Sequence, residues 1–403
     1  MSETSRISRR LARCNVMETI VHCAPISRAS VAKQTGLSKQ TVSEIARQLE
    51  DEGWIRETGR TSGHVGRTAL TYEVVPDRAV IAAVDLGGTK VRAAIADLSC
   101  QVLGDVSEPT DKRGGHHVVN QIARLCRLAA EREGVDFGKV RLAVVGVPGA
   151  PESETGRVLM APNIPGWDVL DVTAALSDAL GVEVLVENDV NLAVRGEHWM
   201  GAGAEVDDLV LIALGTGIGG GIMVGGELVR GAGNAAGELG FLPFGADPFE
   251  PASLHMGALE RRLGSEGIVA FYRNLSGRVL DVKGIFDAAE TGEDAALQTL
   301  DEAARLLARA VAGIAAITNP ACIVLGGSIG VRGEMVARVR ELMPLCFPRP
   351  VAVEASVLGP KAALIGAAAV GLGSLHASLW GEGVEGGIAL PSAAAMRERG
   401  VAA

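Results

Sequence analysis

The stretch VENDVNLA (186–193) places a carboxylate, Asp189, directly after an amide, Asn188. A carboxylate can take the proton of a hydroxyl that attacks a phosphate, or it can only grip that hydroxyl by accepting its hydrogen bond. The two uses look the same in sequence. Glycine-rich turns elsewhere in the chain bear on the choice. In AVIAAVDLGGTKVRAAIADL (79–98) a strand runs into Gly87-Gly88 and a second strand leaves. Asp85 stands at the end of the first strand, where it could orient a metal-bound water, and Thr89 adds a hydroxyl. LVLIALGTGIGGGIMVGGEL (209–228) repeats the pattern with Gly215, Thr216 and Gly217. Backbone N–H groups at glycine approach an anion closely because no Cβ intervenes. One such turn is commonplace, but two copies of strand–glycine turn–strand imply a duplicated α/β frame with two lobes facing a nucleotide. A third element, NPACIVLGGSIG (319–330), reads as a buried strand ending in Gly326-Gly327 after an Ala-rich helix over roughly 294–318. That glycine pair would let an adenine ring lie flat, with simple close packing of helix on strand as the alternative.

The N-terminal segment is of a different kind. SRASVAKQTGLSKQTVSEIARQLEDEGWI (27–55) reads as two helices joined by a tight turn. Ser27 and Ser38 suit helix N-caps, Gly36 suits the left-handed position that ends the first helix, and Gly53 ends the second. Val42, Ile45, Ala46 and Leu49 form a buried stripe at i, i+3, i+4, i+7. Lys39, Gln40, Ser43 and Arg47 occupy the opposite face, where a recognition helix meets base edges. Two strand-like runs around GRTSGHVGR then form a wing with Arg60, His64 and Arg67 exposed. Arginines there can hold phosphate or enter a narrow minor groove, so they carry mostly affinity, while the helix carries sequence choice. A small helical interaction domain with solvated charges is the plainer alternative.

Charge agrees with a DNA-binding head. Residues 1–67 hold 11 Lys+Arg against 7 Asp+Glu, and the remainder 27 against 41, which confines any nucleic-acid contact to the basic end. The 403-residue length implies more than one domain. Hydrophobic residues make up 48% but aromatics only 3%, so Val, Ile, Leu and Ala must build the core. Six cysteines (14, 23, 100, 126, 322 and 346) lie too far apart for tight metal-ligand spacing and read as buried free thiols of a reducing compartment. The N-terminus has no apolar signal core, and the uncharged windows at 209–226 and 310–331 are too rich in glycine and turn residues for membrane spans. No membrane contact and a cytoplasmic location are expected. The helix near 6–23 should support the head and help it dimerise. The expected division is 1–77 as the winged helix-turn-helix, 78–192 as a first lobe completed by a closing helix at 358–378, 193–357 as a second lobe, and 379–403 as a loose tail.

Several motifs resemble the ROK family, which groups repressors, open reading frames and sugar kinases: DLGGTK, GVPGAPESETGRVLMAPNIPGW, VENDVNLAVRGE, LGTGIGGGI and GNAAGELGF. The head resembles the winged-helix heads of bacterial sugar-responsive repressors. The resemblance covers roughly 6–372. It implies an α/β chain with an N-terminal winged helix-turn-helix followed by a two-lobed, actin-like, hexokinase-type (ribonuclease H-like) ATPase fold. It also implies a sugar in the interlobe cleft, and a homodimer or homotetramer. The positions matching the family's sugar-contacting motifs are Gly149, Asn163, Asn188, Asp189, Glu238 and Glu260. Carboxylates and amides suit a polyol because each oxygen accepts one or two hydroxyl protons. The nucleotide positions are Asp85, Gly87, Gly88, Thr89, Gly215, Thr216, Gly217, Gly326 and Gly327, and Asp189 matches the catalytic base of the kinases.

One departure stands out. Family members with a structural zinc carry a His three residues after the motif Glu, then a cysteine-rich loop. This chain has Phe241 at that position, no cysteine in LPFGADPFEPASLHMGALERRLG (242–264), and a solitary His255. No zinc is expected, since a tetrahedral site needs about four ligands. The loop is expected to be held by packing of Phe241, Phe244, Phe249 and Leu254. The first reading is therefore a sugar-responsive DNA-binding regulator, a repressor of operator DNA, that needs no cofactor to bind DNA. The alternative is a bifunctional, ATP- and Mg-dependent sugar kinase with Asp189 as base. A scaffold with a vestigial cleft is the third.

Overall fold

The computed structural model describes residues 3–60, 69–152, 154–159, 164–380 and 388–399, with side chains from residue 7 onward. The chain divides into two compact units, Met1–Glu187 with Ala367–Ala402, and Asn188–Gly366. The first unit opens with helices α1 (Glu3–Cys23), α2 (Arg28–Thr35) and α3 (Lys39–Asp51). Local chemistry sets their ends. The Ser27 and Ser38 hydroxyl oxygens accept the N–H of Ser30 and Thr41, and Gly36 takes φ 70 between the last two helices. Val42, Ile45, Ala46 and Leu49 are buried, facing Val16, Met17, Ile20 and Val21 of α1 in the small core of the head. Strands β1 (Ile26–Ser27), β2 (Ile55–Arg60) and β3 (Leu70–Val74) form a three-stranded sheet in the order β1-β3-β2. β2 and β3 are antiparallel, with an irregularity between Glu57 and Gly59. His64 and Arg67 of the expected wing lie outside the described residues.

The rest of the first unit contains β4 (Val80–Leu86), β5 (Lys90–Asp97), β6 (Val102–Pro109), α4 (Gly115–Arg132), β7 (Val140–Val147), β8 (Ala150–Pro151), β9 (Val158–Leu159), α5 (Val172–Leu180) and β10 (Glu183–Asn188). Its main sheet has the order β10-β7-β4-β5-β6. The second unit contains α6 (Asp189–Met200), β11 (Leu209–Leu214), β12 (Ile218–Val224), β13 (Glu227–Leu228), α7 (Pro251–Met256), α8 (Glu260–Leu263), α9 (Ser265–Ser276), α10 (Val282–Glu290), α11 (Asp294–Thr318), β14 (Cys322–Gly326), α12 (Gly327–Gly330), α13 (Gly333–Cys346) and β15 (Ala352–Ala355). Its sheet has the order β13-β12-β11-β14-β15. The two sheets match strand for strand. In each, an antiparallel hairpin around a glycine turn (β4–β5, β11–β12) is followed by a parallel strand beside the hairpin's first arm (β7, β14). The duplication read from the two glycine turns is thus present in the fold.

The uncharged windows are the β11–β12 hairpin and the α11–β14–α12 connection. Their apolar residues are interior ones such as Leu211, Ile212, Ile323 and Val324. Helix α14 (Ala362–Trp380) is long and apolar enough to cross a membrane by length and composition, but just over half of it is buried within the fold. The segment expected to be loose differs. Past Trp380, residues 388–399 include a short helix, α15 (Ala393–Glu398), capped by Ser392. Ile388, Ala393 and Met396 are buried. The Ala389 backbone meets α1, its N–H donating to Glu18 and its carbonyl lying 2.7 Å from His22 Nε2. Three apolar anchors in twelve residues are too few to give a periodic signal. Of the cysteines, Cys14, Cys100, Cys126 and Cys322 are buried, whereas Cys23 and Cys346 are exposed. All are free thiols.

Candidate functional site

Four of the residues expected to hold a polyol belong to the second unit, and the glycine strand β12 gathers them. Asn188 caps α6, its Oδ1 accepting the N–H of Val190 at 2.9 Å and of Asn191 at 3.0 Å. Asp189 is therefore the first residue of the helix, where its negative charge is favoured. The helix lies directly on β12. A Cβ at Gly221 would sit 2.6 Å from Val194 Cγ1 and 2.7 Å from the Val190 carbonyl, and one at Gly219 2.8 Å from Val190 Cγ2. On the same strand, Gly220 donates its N–H to Gly237 O at 2.8 Å. Gly237 (φ +96) approaches so closely that a Cβ would lie 1.9 Å from Gly220 O. These contacts bring Glu238 and the N-terminus of α6 to one strand. The run GGG (219–221), in the strand that leaves the second glycine turn, is required by packing on both faces of β12.

Glu260 opens α8 and reaches the turn between β11 and β12. Its Oε2 accepts the Ile218 N–H at 2.7 Å, and a Cβ on Gly217 would lie 2.5 Å from the same oxygen. The backbone holds α8 at both ends, by Leu259 N–H on Gly240 O at 3.0 Å and Ser265 N–H on Gly215 O at 3.1 Å. Burial raises the Glu260 carboxyl above the usual carboxylate range, partly offset by the Ile218 N–H. Burial first, and the Glu260 charge second, raise Glu238 as well. Two half-buried carboxylates that repel each other suit a ligand with many hydroxyl donors, which would satisfy both.

Gly149 lies in the first unit between β7 and β8 at φ +101, a backbone conformation open to glycine. Asn163 lies outside the described residues. In the first glycine turn, Gly87 donates to Lys90 O and accepts from Thr110 Oγ1 at 2.7 Å, while Gly88 and Thr89 are exposed. Asp85, beside them, is pushed up to about 6 because burial outweighs the attraction of Arg92, its neighbour across the β4–β5 hairpin. Of the third glycine pair, Gly327 (φ +75) would place a Cβ 2.3 Å from Leu214 O, so close packing explains it. Gly326 has only ordinary contacts.

The loop before α8 departs from expectation. Phe249 is 91% exposed, Leu254 72% and Phe241 41%. Only Phe244 packs against the core. Polar contacts hold the loop instead. Arg261 pairs with Glu250 and donates to Ser253 Oγ, each at 2.7 Å, and the buried Ser253 hydroxyl donates to Asp247 O. With little apolar surface to cover it, packing had no partner to offer these aromatics. In the head, Lys39, Gln40, Arg47 and Arg60 are exposed and Ser43 is half-buried, as a reading face requires. Gln40 is engaged by Glu44 at 3.1 Å, an acidic neighbour that the sequence reading passed over. It also passed over Glu197, which is fully buried on α6. The available signal was its spacing, three residues after Val194 and so on the same face of α6.

Known proteins agree with this geometry. The ROK family pattern matches residues 81–373, and that of a winged helix-turn-helix DNA-binding domain matches 7–56. A glucokinase of Thermotoga maritima is 34% identical over 71% of this chain and 95% of its own length. A putative xylose repressor of a Caldicellulosiruptor species is 25% identical over 88% of this chain and 94% of its own. Among solved structures, a ROK family transcriptional regulator, a homolog of the E. coli MLC protein, superposes with a TM-score of 0.75 at 22% identity, covering 94% of this chain and 99% of that one. The chain thus belongs to the ROK family, a winged helix-turn-helix followed by the sugar-kinase-type, actin-like fold.

Proposed function

We propose that this protein is a DNA-binding transcriptional regulator, a repressor, whose operator affinity is set by a sugar or sugar derivative held by Asn188, Asp189, Glu238 and Glu260, with Gly149 and Asn163 contributing. The observation that carries this reading is the winged head joined to a hydroxyl-gripping acid and amide set, and the match to a putative xylose repressor over 88% of this chain and 94% of that relative supports it. Lys39, Gln40, Ser43 and Arg47 read base edges, and Arg60 and Arg67 hold the backbone. The protein acts in the cytoplasm as a homodimer or homotetramer, which matches the symmetry of paired half-sites. A carbohydrate panel scored by operator release tests it. Release by at least one carbohydrate is expected, and operator binding that no carbohydrate alters refutes it.

A second reading has a specific observation behind it: Asp189 and both glycine turns are in place, and the glucokinase relative is 34% identical. In that reading Asp189 takes the acceptor proton, while Asp85, Gly87, Gly88, Thr89, Gly215, Thr216, Gly217, Gly326 and Gly327 hold ATP and Mg. The loop at 241–256, tied by Arg261 to Glu250 and Ser253, serves either reading. ATP consumption with a hexose panel decides between them. If wild type consumes none, Asp189 is a clamp.

A further inference from the structure

Glu197 has no part in gripping a sugar, yet it is the one charged side chain of the second unit with no exposure among the described residues. Burying a carboxylate is costly unless donors surround it. Here three do. The Ser356 hydroxyl and the Leu358 N–H donate to Oε1, and the Ala202 N–H donates to Oε2 at 2.8 Å. Ser356 in turn accepts the Gly359 N–H at 2.9 Å. The carboxylate therefore fastens the end of α6, the helix that starts at Asp189, to the segment that leads into α14.

A few residues on, the same two helices touch backbone to backbone. A Cβ at Gly196 would lie 2.2 Å from Ala362 O, and one at Gly366 1.7 Å from Leu192 O. Helices joined by a buried, hydrogen-bonded side chain and by close backbone contact at Gly196 and Gly366 cannot slide independently, because close-packed interiors shift between discrete arrangements. The boundary between the two compact units falls inside α14, between Gly366 and Ala367. The far end of that helix belongs to the unit that contains the winged head. There Trp380 meets Trp54 edge to face, with ring centroids 5.8 Å apart. Trp54 is tied to the recognition helix: its backbone N–H donates to Leu49 O and its indole N–H to Glu52, which pairs with Arg13 of α1. Arg78, in the connection to the body, lies over the Trp54 ring.

Resting on the regulator reading above, we propose that Glu197 is a positioning residue that couples the carbohydrate site to the DNA-reading head. It locks α6 to α14, so that a shift at Asn188 and Asp189 on ligand binding moves α14 and, through Trp380 and Trp54, the end of α3. The experiment measures operator affinity with and without a saturating carbohydrate in the full-length wild type, Glu197→Gln and Trp380→Leu, and carbohydrate affinity separately by calorimetry. Wild type should show a ratio of about 5- to 150-fold. Both variants should bind the operator and the carbohydrate within about threefold of wild type, while their ratio falls below about 2. A structural role alone would weaken binding without changing the ratio. Hydrogen exchange of the wild type should also report ligand binding at 376–380 and 52–56. It decides the matter even where a variant does not fold. A wild-type ratio retained in both variants, or exchange at those two segments that ignores the ligand, overturns the proposal. A wild-type ratio of one for every carbohydrate overturns the regulator reading itself, whereas either of the other results beside a wild-type ratio of about 5 or more overturns only the coupling.

Discussion

Asp85→Asn asks whether the first glycine turn keeps a carboxylate that the fold would be better without. Asp85 ends β4 opposite Arg92 on β5, and burial pushes its carboxyl up to about 6 from 3.8. Below about pH 3 the group is protonated in both the folded and unfolded chain, and it contributes no difference. As pH rises from there, the unfolded chain releases the proton before the folded one does. Stability therefore falls with rising pH and levels off above the folded value. Roughly two pH units at about 1.4 kcal/mol each amount to ~3 kcal/mol as an upper figure. Asparagine has nearly the same shape and does not titrate. The gap should be smallest near pH 4, under about 1 kcal/mol, and grow to as much as ~3 kcal/mol in favour of the variant at pH 7–8, on the order of 6–12 °C in melting temperature. Fluorimetric melting across pH 4–8, without ligand, makes the comparison. A gap that is flat with pH, or that narrows as pH rises, refutes the reasoning. The stated outcome would mark Asp85 as a group retained for ligand chemistry against its effect on stability.

Four further outcomes are expected. Gly221→Val forces a side chain against Val194 and the Val190 carbonyl; it should cost about 1–3 kcal/mol or more and abolish the carbohydrate-induced rise in melting temperature, while operator binding persists. Glu238 and Glu260 have carboxyls held above the usual range, so carbohydrate affinity by calorimetry should be constant near pH 8 and decline as pH falls toward 5, when the acceptors protonate; affinity that rises on acidification contradicts the assignment. Ser38→Ala removes the cap that accepts the Thr41 N–H and should lower the stability of the head by about 1 kcal/mol in denaturant titrations. Arg60→Ala should reduce the slope of log affinity against log salt by about 1 with base preference unchanged, whereas Arg47→Ala should change the preferred operator sequence.

The head was legible almost residue by residue because its signals are local. A serine oxygen facing an N–H three residues on, a glycine at positive φ and a stripe at helical spacing need no distant partner to be recognised. The duplicated frame was legible for a similar reason, since each hairpin carries its own glycine turn. What was missed depends on distant parts of the chain. Phe249 and Leu254 look like core residues by type and are exposed, because, of the loop's aromatics, only Phe244 meets the core and Arg261 ties the rest to Glu250 and Ser253. The glycines at 219–221 have no partner visible in the local sequence, yet α6 and Gly237 require them. Glu197 looks like any helical glutamate until Ser356 and Leu358, some 160 positions away, are placed on it. Residue type signals a role reliably only where the partner lies within the same turn or hairpin.

Glu260 joins two functions that the sequence reading kept apart. It was read as a sugar contact, and Gly215 to Gly217 as a nucleotide turn. Yet its Oε2 holds the first N–H after that turn and fills the space where Gly217 would carry a side chain. In the proposed site a hydroxyl donated to this carboxylate would draw on the same oxygen that anchors Ile218, which would link occupancy there to the shape of the turn through one side chain. A kinase would use that link to order its phosphate turn once the acceptor is bound. A regulator needs only the movement, and Asp189, at the start of a helix fastened by Glu197, is placed to pass it on. The same geometry therefore serves both chemistries. What separates them is whether a phosphate donor is ever recruited to the turn, which is why ATP consumption rather than sugar binding is the deciding measurement.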